Sequence, residues 1–436
     1  MAQAYLLRKE LRTVGNHPLK AVWEDNLALR IHSILESKGV KWTSTDVARI
    51  GFVGDLCGED GLAVAKECKQ LLVANEILDV EVEIRESVVT RYVGPTLRKR
   101  ARSTPWAEGT GGFYVTGDDS KLYLVTARHV VFKPNRADND TYERKFSSQP
   151  RVDVALFGTA AFNSYVKRIK RAIGEKAMIL EFQERRVKEA VEGHDGMDAD
   201  EAARVRANAE GLVKEAKEAI VAFKKLCDDA TSASPLPSNL VKYTQDYALV
   251  EIDSSKIDAA SFTRNAIDLG NQIGPAEFAR LMFPNPENRH AFEYPTNGLF
   301  KVQGIISDEE MRRPTILDQN DDPCLIVMKR GNTTGLTVGR ANDILSYVRN
   351  YFDDGDTQTS KEWAIFSYDD KSGPFSDEGD SGSGIIDCLG RLGGLLTGGD
   401  GVTEYSNVTY ATPISFILDS LKANGYNVTV EATLSA

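Results

Sequence analysis

Apolar and polar positions follow two different periods along this chain, and the change of period divides it. In "LALRIHSILESKGV" the apolar residues Leu27, Ile31, Ile34 and Leu35 fall at the spacing of one helix face. "EDGLAVAKECKQLLVANEI" repeats that spacing with Leu62, Val64, Ala65, Cys68, Leu71 and Leu72. "DVARIGFVG", ended by Gly54, is a β-rich run, and "LDVEVEIRES" alternates apolar and charged positions as a half-buried strand does. Helices between strands predict a small α/β unit over residues 1–100, with no role that the residues suggest. A basic stretch containing proline and glycine, "GPTLRKRARSTPW", reads as a linker.

From residue 106 the texture changes to short β runs separated by Gly, Asn and Asp. They include "GGFYVTG", "KLYLVTARHVVF", "VDVALFG", "DYALVEI", "CLIVMKRGNTTGLTVGRAN", "WAIFSY", "GSGIIDCLGRLGGLLTGG" and "VTYATPI". Many short strands at close spacing predict a mainly β domain, a barrel or sandwich, over residues 101–436. One stretch interrupts it. Val166, Ile173, Leu180 and Val187 recur every seven residues, and Val205, Leu212, Ala216, Ile220 and Phe223 recur at helical spacing. With the polar breaker "EGHDGMDAD" between them, these predict an inserted helical hairpin at about 163–228. The chain closes on "ISFILDSLKANGY", an apolar-faced helix expected to stop at Gly425.

Composition narrows the function. A net charge of −11 argues against a nucleic-acid or anionic-membrane surface. No run of apolar residues is long enough for a membrane span, and the charged start "MAQAYLLRKELRTVGNHPLK" does not read as a signal peptide. Five scattered cysteines form no Cys-x-x-Cys pair or Cys/His cluster. The expectation is a reduced, cytoplasmic protein with no metal and no organic cofactor.

The chemistry rests on "FSDEGDSGSGIIDCLG". Ser381 stands between Gly379–Asp380 and Gly382, ahead of an apolar run. Alone, such a tetrapeptide reads as a turn. Acyl transfer by serine needs a base, a carboxylate to fix the base's tautomer, and backbone N–H groups for the oxyanion. Of the five histidines, His129 alone follows a strand-like run, "KLYLVTARHVV", that would hold it rigidly. Asp246 precedes the apolar Ala248, Leu249 and Val250, where an acid is costly without a hydrogen-bond donor. Gly379 and Gly382 permit a turn that aims the N–H groups of Gly379 and Ser381 at one point. A hydrolase elbow would need glycine at Ser383 and a histidine after Ser381, and the chain has neither.

"TARHVV", "DYAL" and "GDSGSG", in the order His, Asp, Ser, resemble the motifs of the chymotrypsin/trypsin-like serine proteases. "VMKRGNTTGLTVGRAN" and "VTYATPISFIL" further resemble intracellular trypsin-like peptidases of fungi, although no role for "GNTTGLT" is evident from the residues. The resemblance implies a trypsin-like double β-barrel interrupted by the hairpin. It implies a serine endopeptidase with His129 as base, Asp246 as its orienting acid, Ser381 as nucleophile, and Gly379 and Ser381 as oxyanion donors. Thr397, Gly398 and Gly399 fall where the family pairs with an extended peptide or protein substrate, and Phe375 falls near the base of its specificity pocket. Two departures stand out. Val130 replaces the cysteine of secreted members, and no Ile-Val-Gly-Gly-like start lies near residue 106. Asp380, which pairs with that new N-terminus in secreted members, therefore has another cation, or activation differs. The other expectation is a silent or latent protease-fold protein, with a protein partner reached through the hairpin or the N-terminal unit.

Overall fold

The computed structural model describes residues 11–50, 59–84, 89–91, 109–132, 243–254, 257, 262–270, 273–285, 294–352, 357–369, 371–400 and 407–434. By its internal contacts the chain divides into Met1–Val154, Ser232–Ile252 and Thr263–Ala436 as one unit and Ala155–Thr231 with Asp253–Phe262 as a second. The hairpin expected at 163–228 and the strand expected at "VDVALFG" lie outside the described residues.

The first unit is mainly β. Its N-terminal part holds β1 (Leu11–Arg12), helix α1 (Ala28–Ser37), β2 (Ser44–Thr45), β3 (Arg49–Ile50) and helix α2 (Glu59–Ala74). Then come β4 (Phe113–Gly117), β5 (Leu122–Thr126), the one-turn helix α3 (Arg128–Val131), β6 (Ala248–Glu251), β7 (Ala266–Asp268) and β8 (Leu299–Lys301). The largest sheet is built from β9 (Leu325–Gly331), β10 (Gly335–Ala341), β11 (Ser346–Tyr351), β12 (Thr357–Ser367), β13 (Gly384–Asp387), β14 (Leu392–Asp400) and β15 (Val408–Pro413). Helix Ile414–Ala423 and β16 (Val428–Thr429) close the chain.

Eight strands form one antiparallel sheet in the order β10-β9-β13-β14-β15-β12-β11-β2. β12 also pairs with β10, so six of these strands return on themselves in a closed ring of pairings, in which β13 reaches only as far as Leu395 along β14. A second sheet runs β16-β4-β5-β6. β5 is buried at every position, which is why "LYLVT" reads as a continuous apolar run rather than an alternating one. Phe113, Val115 and Val125 of this second sheet share a core with Ile326 and Met328 of β9, Leu395 of β14, and Ile414 and Ile417 of the last helix. The two sheets meet there.

The expected helices form, over Ala28–Ser37, Glu59–Ala74 and Ile414–Ala423. The last one stops as expected: Gly425 takes φ +86°, and the N–H of Tyr426 returns to the carbonyl of Leu421 at 2.9 Å. The strand expected at "LDVEVEIRES" does not form over its described residues, 78–84. Val80, Val82 and Ile84 still turn partly inward against the N-terminal core, but Lys69 Nζ donates to the carbonyls of Leu78 and Val80. Alternation chose the buried side; a ladder also needs a partner strand. Nor do residues 1–100 keep a core to themselves. Trp23, Leu27, Ile31 and Leu72 cluster with Ile344 and Tyr347, and β2 pairs with β11.

Candidate active site

β5 and β6 bring the first two groups together. Their antiparallel ladder ends at Thr126 opposite Ala248, so continuing both strands sets Arg128 and His129 against Asp246. The N–H of Arg128 donates to the Asp246 carbonyl at 3.1 Å, and the N–H of His129 to Asp246 Oδ1 at 2.9 Å. The imidazole then reaches Asp246 Oδ2 from Nδ1 at 2.5 Å. A carboxylate only accepts, so Nδ1 carries the hydrogen and the neutral ring keeps its lone pair on Nε2. Nε2 is buried and has no hydrogen-bond partner among the described residues. Burial pushes the Asp246 carboxyl up, but the imidazole, the Arg91 guanidinium 3.6 Å away and the two bonds from His129 outweigh it and hold the group well below the usual carboxylate range. The sequence reading ended a strand at His129; the strand stops at Thr126 and His129 sits in α3.

Ser381 lies in the turn before β13. The N–H of Gly382 donates to the Leu396 carbonyl at 2.8 Å and the Ser381 hydroxyl to the Thr397 carbonyl at 3.1 Å, so the turn is laid along β14. Its other side abuts the start of α3. A Cβ on Gly382, whose φ is +92°, would come within 2.1 Å of the Thr110 carbonyl oxygen and 3.1 Å of the Ala127 nitrogen. Gly379 also takes a left-handed φ, +98°. Among the described residues, the N–H groups of Gly379 and Ser381 donate to no partner. Ser383 donates from its Oγ to the Asp380 carbonyl at 2.6 Å, closing the turn where a glycine could not. His129 and Asp246 are thus joined, Ser381 is buried beside α3, and its hydroxyl points to Thr397 rather than to the imidazole.

The sequence reading missed what holds Asp380. Lys329 of β9, with no side-chain exposure, donates from Nζ to Asp380 Oδ2 at 3.0 Å. Oδ2 also accepts from Thr334 Oγ1 at 2.6 Å, and Oδ1 accepts the N–H of Thr333 at 2.8 Å. Burial pulls the Lys329 ammonium down, and Asp380 works against that. "GNTTG" therefore has a visible role: Thr333 and Thr334 cradle the acid next to Ser381, and Gly331 leaves room, because a Cβ there would lie 2.2 Å from Asp380 Oδ1. A lysine inside the apolar run "CLIVMKRG" was the available signal, since a buried ammonium needs an acid.

Thr397, Gly398 and Gly399 lie on β14, and the Thr397 carbonyl accepts the Ser381 hydroxyl. Phe375 is buried in an apolar cluster with Ile365 and Trp363, its ring centroid 5.7 Å from Lys329 Nζ. Among the described residues, no three His, Cys, Asp or Glu side chains gather as metal ligands, and no helix is long and apolar enough to cross a membrane.

No family model matches the chain, and no curated protein matches it. Among solved structures it is similar to the active form of the Rv3671c protease from M. tuberculosis, at 14% identity and a TM-score of 0.21, over 48% of this chain and 69% of that one. That likeness is too distant to bear on the site.

Proposed function

We propose that this chain is a serine endopeptidase of trypsin-like type, its cleft lying between the ring of β9, β10 and β12–β15 and a second barrel that includes β4–β6. The observation that carries the reading is the Nδ1–Oδ2 bond of 2.5 Å between His129 and Asp246, which leaves Nε2 without a partner among the described residues, while the Ser381 turn packs against Ala127 at the start of α3.

In this reading a rotation about the Ser381 Cα–Cβ bond brings Oγ from Thr397 to His129. Nε2 takes the hydroxyl proton while Oγ bonds to the scissile carbonyl carbon. Asp246 steadies the imidazolium through Nδ1. The free N–H groups of Gly379 and Ser381 receive the oxyanion. The carbon–nitrogen bond then breaks, His129 hands its proton to the leaving amine, and an acyl-enzyme remains. Water attacks that ester with His129 as base; the acid departs and Ser381 regains its proton. Lys329 supplies the internal cation for Asp380, which supports a turn held in working shape without a newly cut N-terminus. Three buried cysteines with free thiols, Cys68, Cys324 and Cys388, suit a reducing cytoplasmic setting.

A fluorophosphonate probe tests the reading. Covalent labelling of the chain, abolished in Ser381→Ala and mapped to Ser381 by mass spectrometry, is the expected result. Absence of labelling in the intact chain and also in the Thr90→Pro variant described next sinks it.

A further inference from the structure

The edge at Thr397–Gly399 is already occupied, by the chain itself. The N–H of Thr90 donates to the Gly399 carbonyl at 2.9 Å, and the N–H of Gly399 donates back to the Thr90 carbonyl at 3.0 Å. This is an antiparallel, doubly hydrogen-bonded pair, the way an added strand binds a sheet edge. Side chains alternate as they must in an extended segment. Val89 packs beside Phe366, Val408 and Tyr410. Thr90 faces solvent. Arg91 turns inward and sets Nε 3.6 Å from Asp246 Oδ2, the oxygen that His129 uses. Gly398 makes the approach feasible, since a Cβ there would lie 2.5 Å from the Thr90 carbonyl oxygen and 3.4 Å from the Arg91 Cα. Because the pairing is antiparallel, the direction from Val89 to Arg91 runs from Gly399 toward Thr397, whose carbonyl receives the Ser381 hydroxyl.

We propose that Val89–Arg91 is a built-in occupant of the peptide-binding edge, closing the Ser381 cleft in the intact chain, and that its side-chain order, apolar then any then basic, is the order the edge selects in an extended peptide. The proposal rests on the peptidase reading for its meaning but not for its test. A tethered segment competes at an effective concentration near millimolar, so a free peptide of the same pattern binds weakly until the segment is loosened.

The probe is a fluorescein-labelled peptide carrying Val-Thr-Arg, followed by anisotropy on the Ser381→Ala full chain, so that no cleavage intervenes. Adding Thr90→Pro removes the N–H that pairs with Gly399 and leaves the part-buried Val89 and Arg91 side chains in place. Loss of one such bond raises peptide affinity about tenfold. Adding Arg91→Ala instead, a milder change at a part-exposed side chain, raises it about two- to threefold and guards against a Thr90→Pro chain that fails to fold. A peptide with Asp-Thr-Glu in the same places binds at least tenfold more weakly than Val-Thr-Arg. Equal affinity in all three backgrounds overturns the occupancy, and equal binding of the acidic peptide overturns the pattern. If the affinity rises as expected while no chain reacts with fluorophosphonate, the edge assignment stands and the peptidase reading falls. If fluorophosphonate labels Ser381 while the affinities do not move, the reverse holds.

Discussion

Two buried aspartates, Asp246 and Asp380, are held in opposite ways near Ser381. Asp380 meets a lysine with no side-chain exposure, a threonine hydroxyl and several backbone N–H groups, so both of its oxygens are fully engaged. Asp246 meets an imidazole whose second nitrogen is left open, and a part-exposed arginine. The first arrangement spends its polar groups on one backbone shape. The second leaves one buried polar atom, His129 Nε2, without a partner among the described residues. The contrast teaches that Asp380 is spent on holding the turn, whereas Asp246 orients an imidazole that, in the peptidase reading, does the chemistry.

The largest effect separates the two directly. In the peptidase reading, Asp246→Asn leaves the pocket filled but denies Nδ1–H its charged acceptor. Turnover of a peptide substrate falls about ten-thousand-fold, while thermal unfolding moves little. A fall in stability matching the fall in rate would erase the distinction. Lys329→Met does the opposite. It leaves the Asp380 charge buried without a cation, so urea unfolding shows a loss of about 3–5 kcal/mol. Lys329→Met with Asp380→Asn removes both charges and recovers a large part of that loss, although the turn, and with it turnover, stays impaired.

A smaller effect comes from a third buried acid that receives only neutral donors among the described residues. Glu362 accepts from Ser360 Oγ at 2.8 Å and from Thr412 Oγ1 at 3.5 Å. Burial pushes its carboxyl up to about 7, helped by the charge of Asp246, against the hydrogen bonds from Thr244 and Ser360. The folded chain therefore keeps a proton that the unfolded chain releases above the ordinary value of 4.5. This contribution to stability is full below that value and is lost as pH rises through about 7. Glu362→Gln removes the slope: between pH 5 and pH 8 the unfolding free energy of wild type falls relative to the variant by at most about 3 kcal/mol. Parallel pH profiles would mean that Glu362 is ionised throughout, and would place it with Asp246 rather than apart from both aspartates.

Much of the site was legible because its residues carry their own signals. Asp246 announces itself as an acid ahead of "ALV", and His129 as the histidine that follows "LYLVTA". The glycines around Ser381 foretell left-handed backbone, and Gly379 and Gly382 adopt it. What stayed hidden are relations between distant residues. The run around Lys329 signals a buried ammonium but not which acid it meets, and Arg91 looks like an ordinary surface cation, until the fold sets each against an aspartate. The strand expected at "LDVEVEIRES" failed for the same reason, since period records which face is apolar and says nothing about who is available to pair.

Local chemistry and periodicity, written in the sequence, determined the runs that become β5, β9 and β14, the stop of the last helix at Gly425, and the expectation that His129, Asp246 and Ser381 form one site. Only the tertiary structure decided which cation Asp380 finds, where the Ser381 hydroxyl points, and that Thr90 lies on Gly399. Each of those depends on desolvation and hydrogen-bond geometry between segments far apart in the chain, which exist only once the strands are in register.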